Sequence, residues 1–183
     1  MKQIILAVFC LALVLPATAA TGTLKAHGKP GDAGLFVDGK YLGPAVRYSF
    51  AVKYQVEEGT HEVVLQDPRY EDFKTTVTVK AGEVTDLKYK LTKLPEPKGP
   101  FGTLKFGRGK PDTFMSMVVG DTSAVYLNGR FVGHLEEMNH VGTGLLLPPG
   151  KYELRCSSPM YGEINETIEI VAGKTTKIKI PRE

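Results

Sequence analysis

The chain contains no tryptophan and only two cysteines, Cys10 and Cys156, among its 183 residues. Two thiols cannot staple a disulfide-rich mini-domain, so stability has to come from a packed core. Helical periodicity is missing as well. Beyond the N-terminal segment, no window of 11 or more residues repeats its apolar positions at the spacing of an amphipathic helix. Nor does one sign of charge dominate: 23 Lys and Arg stand against 20 Asp and Glu, a net charge of +3. That balance argues against a nucleic-acid binder held by broad phosphate neutralisation. A hydrophobic content of 42% with 23% charged residues excludes wholesale disorder and a collagen-like repeat.

The single long apolar run lies at the start. Met1-Lys2 gives a positive beginning, Ile4 to Leu15 is almost unbroken in apolar character, and Pro16 ends it. Ala17-Thr18-Ala19 then supplies the small-x-small spacing of a signal-peptidase site, so residues 1–20 are expected to be a cleaved secretory signal peptide. The run is short for a membrane span, which needs about 20 residues. A lipoprotein reading of Cys10 fails because Phe9 before it is too bulky. No other segment is apolar and long enough to cross a bilayer. The expected destination is the periplasm or the exterior, with Cys156 as the lone thiol of the mature chain and no intramolecular disulfide.

The remainder repeats itself. Gly22-Thr23-Leu24-Lys25 returns as Gly102-Thr103-Leu104-Lys105, and Val37-Asp38-Gly39-Lys40-Tyr41-Leu42-Gly43 as Leu127-Asn128-Gly129-Arg130-Phe131-Val132-Gly133. Further on, Gly59 matches Gly150, Tyr70 matches Tyr161, and Ala81-Gly82 matches Ala172-Gly173. Two homologous units follow, at 21–94 and 101–183, the second with an insertion near 111–122. Between them Pro95-Glu96-Pro97-Lys98-Gly99-Pro100 reads as a short, semi-rigid spacer. Neither unit is a basic arm or an acidic tail: Ala20 to Pro100 carries 12 basic and 11 acidic residues, and the rest 10 and 9.

Within each unit the apolar pattern has period two. Phe73, Thr75, Val77 and Val79 alternate with Lys74, Thr76, Thr78 and Lys80, and Lys177-Ile178-Lys179-Ile180 does likewise. Such alternation predicts strands with one face buried and one wet. Asp38-Gly39 and Asn128-Gly129 tolerate the positive φ of a type I′ hairpin turn, and Ala81-Gly82 and Ala172-Gly173 mark a second turn per unit. The fold class is therefore all-β: two small antiparallel β-sandwiches, immunoglobulin-like or prealbumin-like, of about six or seven strands each.

These residues resemble the PEGA domain, a short β-sandwich repeat of exported bacterial and archaeal proteins. The first unit carries the likeness in Gly22-Thr23-Leu24, Val37-Asp38-Gly39-Lys40-Tyr41-Leu42-Gly43, Gly59, Tyr70 and Gly82. In the second it lies in Gly102-Thr103-Leu104, Leu127-Asn128-Gly129-Arg130-Phe131-Val132-Gly133, Pro149-Gly150, Tyr161 and Gly173. Glu58 stands where that family tends to have Pro, and both units have a longer stretch after the hairpin, Pro44 to Glu57 and His134 to Pro148. The resemblance covers nearly the whole mature chain and implies no catalytic residues. It implies a non-enzymatic envelope or extracellular module that presents binding surfaces.

Cys156, with His134 and His140 as bases, is the obvious nucleophile, but it aligns with Leu65 and shares the parity of Tyr152 and Leu154, so it is expected in the core. His134-Leu135-Glu136-Glu137-Met138-Asn139-His140 lacks zinc-site spacing and is expected to be a solvated loop, and His27 and His61 are expected on strand surfaces. Asp67, Glu71 and Asp72 around Tyr70 could suggest a glycosidase carboxylate pair; exposure in a turn is the plainer reading. Gly107-Arg108-Gly109-Lys110-Pro111 is not a phosphate loop, because Pro111 replaces the Ser or Thr and no helix follows. Lys88, Lys90, Lys177 and Lys179 read as exterior charges that blunt edge pairing. Asn165-Glu166-Thr167 has the form of a glycosylation sequon.

No catalytic, cofactor or metal residue emerges. The candidate partner surface is Phe114, Met115 and Met117 in the insertion, as an extra edge strand or a contact loop, and Tyr48, Phe50 and Tyr54 as a possible sugar-stacking face. The expected function is an exported, non-enzymatic binding or spacer module serving an envelope protein or glycan. The alternatives are a carbohydrate-binding module and, behind it, a secreted hydrolase or hydrolase inhibitor.

Overall fold

The computed structural model describes residues 19–47, 50–107, 122–135, 144–159 and 162–179. Residues 1–18 of the leader, Tyr48, most of the insertion with Phe114, Met115 and Met117, and the His140 loop lie outside the described residues.

Alternation becomes strands as expected. The first unit runs β1 (Thr21–Lys29), β2 (Gly34–Val37), β3 (Lys40–Pro44), β4 (Val46–Arg47), β5 (Phe50–Ala51), β6 (Lys53–Glu57), β7 (Gly59–Gln66), β8 (Phe73–Val79) and β9 (Val84–Lys90). The second runs β10 (Gly102–Gly107), β11 (Ala124–Leu127), β12 (Arg130–His134), β13 (Leu145–Leu147), β14 (Gly150–Ser158), β15 (Gly162–Ile170) and β16 (Thr175–Lys179). In each unit a three-stranded sheet faces a four-stranded one: β6-β1-β9 against β3-β2-β7-β8, and β13-β10-β16 against β12-β11-β14-β15. One refinement applies to the antiparallel expectation. The first and last strands of each unit, β1 with β9 and β10 with β16, pair in parallel.

The cores come from the inward parity of these strands. Leu24, Leu35, Val63, Leu65 and Val79 anchor the first, and Leu104, Val125, Leu154, Cys156 and Ile170 the second. Leu65 pairs with Leu35, and Cys156 with Val125, at equivalent places in the two sheets. Cys156 is 1% exposed and belongs to the second core.

The hairpin turns take the predicted conformation. Asp38 and Gly39 have φ of 48° and 76°, Asn128 and Gly129 of 50° and 76°. Positive φ at both central positions is the type I′ requirement. Each turn is also clamped to the next strand. Asp38 Oδ1 accepts from the Glu62 N–H at 2.9 Å, and Asn128 Oδ1 from the Glu153 N–H at 2.8 Å. The Gly of each Gly-Thr-Leu motif has a different reason: a Cβ on Gly22 would run into the Lys80 carbonyl oxygen, and one on Gly102 into that of Val171.

A third apolar cluster joins the units. Phe36, Val64, Ala124 and Phe131 are buried together, with Tyr41 and Tyr126 packed against them. A β-bulge in each hairpin separates the roles of neighbouring residues. Because Leu35 pairs with Gly43 and Phe36 with Tyr41, Leu42 is the extra residue and packs on the first core, while Tyr41 joins the cluster between units. Val132 and Phe131 divide the same way in the second unit. The sandwiches are thus docked on one another, and the Pro-rich segment does not hold them apart as free beads.

Candidate functional site

The seam between the repeats is built from equivalent faces. Phe36 on β2 corresponds to Tyr126 on β11, and Tyr41 on β3 to Phe131 on β12, so each unit contributes the outer face of its four-stranded sheet. Phe131 meets Phe36 edge-on at 5.5 Å between ring centroids and lies 5.7 Å from Tyr41. Its ring rests on Gly34, where a Cβ would come within 2.7 Å of it. Such aromatic pairs add about 0.5–1.5 kcal/mol each beyond the area they bury.

Polar bonds fix the seam's register. The Tyr41 hydroxyl donates to the Thr122 carbonyl at 2.6 Å and lies 2.6 Å from His134 Nδ1. His134 Nε2 donates to the Asp32 carbonyl oxygen at 2.7 Å. The solvated-loop expectation for His134 is therefore corrected: it ends β12, is 2% exposed, and bridges the two units. Its neighbours Glu136 to His140 lie outside the described residues.

Asp67 also differs from expectation. Instead of an exposed turn carboxylate it is 4% exposed, and Arg69 holds it from Nε at 2.9 Å and a terminal nitrogen at 2.6 Å. The Arg69 main-chain N–H adds a third bond, and its guanidinium reaches on to Asp32 at 2.7 Å. A carboxylate held this way is neutralised and turned from solvent, a positioning role that ties the turn to the Asp32 loop. Glu71 and Asp72 are exposed as expected.

Phe50 and Tyr54 do not make a common platform. Phe50 stands 76% exposed on β5, whereas Tyr54 on β6 packs on the first core and donates to the Pro44 carbonyl at 2.8 Å. Burial pushes its hydroxyl well above the ordinary phenol range. Among the described residues no three His, Cys, Asp or Glu converge on one point. Cys156 faces the second core while His134 faces the seam, so the thiol and this imidazole are not partners. Among the described residues no helix is long and apolar enough to cross a membrane.

What sequence reading missed is a groove of about 660 Å³ along the seam, lined from both units. Phe36, Val64 and Phe131 form part of its lining, and polar side chains complete it: Gln66, Asp72 and Lys74 from the first unit, Tyr126, Arg130 and Arg155 from the second. Gln66 donates to Asp72 at 2.8 Å, and the Arg155 guanidinium lies over the Tyr126 ring, 5.9 Å from its centroid. Burial raises the Tyr126 hydroxyl pKa, so it stays protonated at neutral pH. The repeats differ at the groove: Tyr126 and Arg155 stand where the first unit has Phe36 and Val64. That difference was visible in the repeat alignment, but only the docking of the two units gave it meaning.

Comparison with known proteins adds the following. The family model of the PEGA domain matches twice, over residues 21–95 and 119–183. No curated protein sequence matches the chain. Among solved structures, the Bacillus anthracis TIE protein is 17% identical, with a TM-score of 0.31, over 89% of this chain and 33% of its own. The Bacteroides ovatus mixed-linkage glucan utilization locus protein SGBP-B, solved with a mixed-linkage heptasaccharide, is 11% identical, with a TM-score of 0.20, over 86% of this chain and 37% of its own. The chain thus spans about a third of the length of each.

Proposed function

The chain belongs to the PEGA domain family, and on that footing we propose that it is an exported, non-enzymatic module that binds a component of the cell envelope or extracellular space through its joined repeats. The observation that carries this reading is the seam. Two repeats that only spaced other parts apart would not need to bury Phe36, Val64, Ala124 and Phe131 against each other. A docked pair instead presents one fixed groove, of a size typical for ligand sites. The absence of catalysis is supported by the fates of the strongest candidates: Cys156 fills a core, and Asp67 is neutralised by Arg69.

Two measurements in the native host test the proposal. Fractionation with N-terminal sequencing should find a mature chain starting at Ala20 or Thr21 in the periplasmic or extracellular fraction. A photo-cross-linking side chain at Lys74, in the groove, should capture a component that the same group at Lys88, on exposed β9, does not. An uncleaved cytoplasmic product, or equal labelling from both positions, overturns the reading.

A further inference from the structure

The groove's charge pattern specifies more than shape. Two cations stand on the sheet faces that form it, Lys74 opposite Val64 in the first unit and Arg155 opposite Tyr126 in the second, against one carboxylate, Asp72, which already accepts from Gln66. The Arg155 guanidinium lies over the Tyr126 ring, 5.9 Å from its centroid, a contact that favours this placement of the charge. Arg130 follows the Asn128-Gly129 turn directly, and that turn is pinned to β14 through the Glu153 N–H. Arg130 pairs with the core-side Leu127, whereas Arg155 pairs with Tyr126 on the outer face, so Arg155 is the guanidinium set on the groove face.

We propose that this groove binds an acidic saccharide, its carboxylates held by Arg155 and Lys74. The proposal rests on the binding-module reading above and names the ligand class for that same site. A guanidinium fork matches a carboxylate in a two-bond geometry, and two cations, one from each unit, suit a ligand with repeated negative charge. An acidic peptide would meet the same two cations and the open edge of β8, and the poly-glutamate arm of the test separates it from a saccharide. A saccharide instead needs side-chain donors and acceptors for its hydroxyls, which Gln66, Asp72 and Tyr126 supply.

The test uses the full mature chain and three probes: polygalacturonate, a neutral β-glucan, and poly-glutamate. Polygalacturonate should bind most tightly, with affinity falling as salt rises. Lys74→Gln with Arg155→Gln should weaken it by about tenfold or more. Lys88→Gln with Lys90→Gln, at exposed positions on β9, should leave it unchanged. Unaltered melting temperature in both variants shows that folding is intact. Tighter binding of poly-glutamate, equal binding of the neutral glucan, or equal losses in the two variants overturns the acidic-saccharide assignment. If cross-linking from Lys74 succeeds while polygalacturonate fails, the ligand class is wrong and the binding function stands; if both fail, the binding function falls with it.

Discussion

At the scale of single residues, two rings at equivalent places do one job by different chemistry. His61 Nε2 donates to the Glu57 carbonyl at 2.9 Å, and the Tyr152 hydroxyl donates to the Pro148 carbonyl at 2.9 Å, four residues back in both units. His61 has a second, charged partner. Its Nδ1 lies 2.6 Å from Asp38 Oδ2, and that bond raises the His61 pKa above 6.5 and, with the Glu62 N–H, lowers the Asp38 pKa below 3.8. The signs follow from linkage. The His61 contribution is complete below pH 6.5 and is lost as pH rises through its higher folded value. The Asp38 contribution is complete above pH 3.8 and is lost as pH falls through its lower folded value. The melting-temperature difference between the native chain and His61→Tyr should therefore vary with pH, favouring the native chain most between about pH 4 and 6 and shrinking toward pH 9. A difference that stays flat across that range contradicts the pairing.

Asp67 and Arg69 predict an asymmetry at the same scale. The Asp67 side chain is 3% exposed, whereas Arg69 is 58% exposed. Removing the carboxylate lets the guanidinium turn to water and keep Asp32 as a partner. Removing the guanidinium strands a buried charge, a change that costs about 3–5 kcal/mol. Arg69→Met should thus lower unfolding free energy in urea several-fold more than Asp67→Asn. Equal losses would mean the carboxylate reaches water in solution.

At the scale of strands, the amino-acid pattern was legible where one face is buried and the other wet. Phe73 to Val79 alternates and forms β8, and the Asp38-Gly39 and Asn128-Gly129 turns were readable because few residues besides Gly, Asn and Asp accept positive φ. Equivalence of Leu65 and Cys156 was legible through parity alone. Leu65→Ala should cost about 2–5 kcal/mol, as a buried leucine truncation does, and Cys156→Ala clearly less because it removes one atom. Thiol-reagent labelling of the native chain should be slow, and fast stoichiometric reaction would contradict a 1% exposed Cys156. Less legible were strands covered on both faces. Gly34-Leu35-Phe36-Val37 is buried at every position, and an unbroken apolar run does not say what lies against its second face. Asp67 and His134 misled for a related reason: their partners, Arg69, Asp32 and Tyr41, become visible only once loops and turns are placed in space.

At the scale of the whole molecule, the repeat predicted two interiors but not the third. Residues of the seam come from positions about ninety apart, and no local pattern reports such contact. Its consequence is cooperativity. Two sandwiches joined only by Pro95 to Pro100 would melt separately, each at its own temperature. Joined by Phe131 against Phe36, Tyr41 and the Gly34 backbone, and by His134 to the Asp32 carbonyl, they lose a shared interface when either opens. Calorimetry of the mature chain should accordingly show one endotherm. Phe131→Ala removes a buried aromatic ring, at a cost of about 3–5 kcal/mol, from the contact both units depend on. It should split that endotherm in two and weaken the groove's ligand binding, since Lys74 and the Arg155 guanidinium would no longer be held at one spacing. Two resolved transitions already present in the native chain, and unmoved by Phe131→Ala, would show that the units fold independently and that the groove has no fixed width.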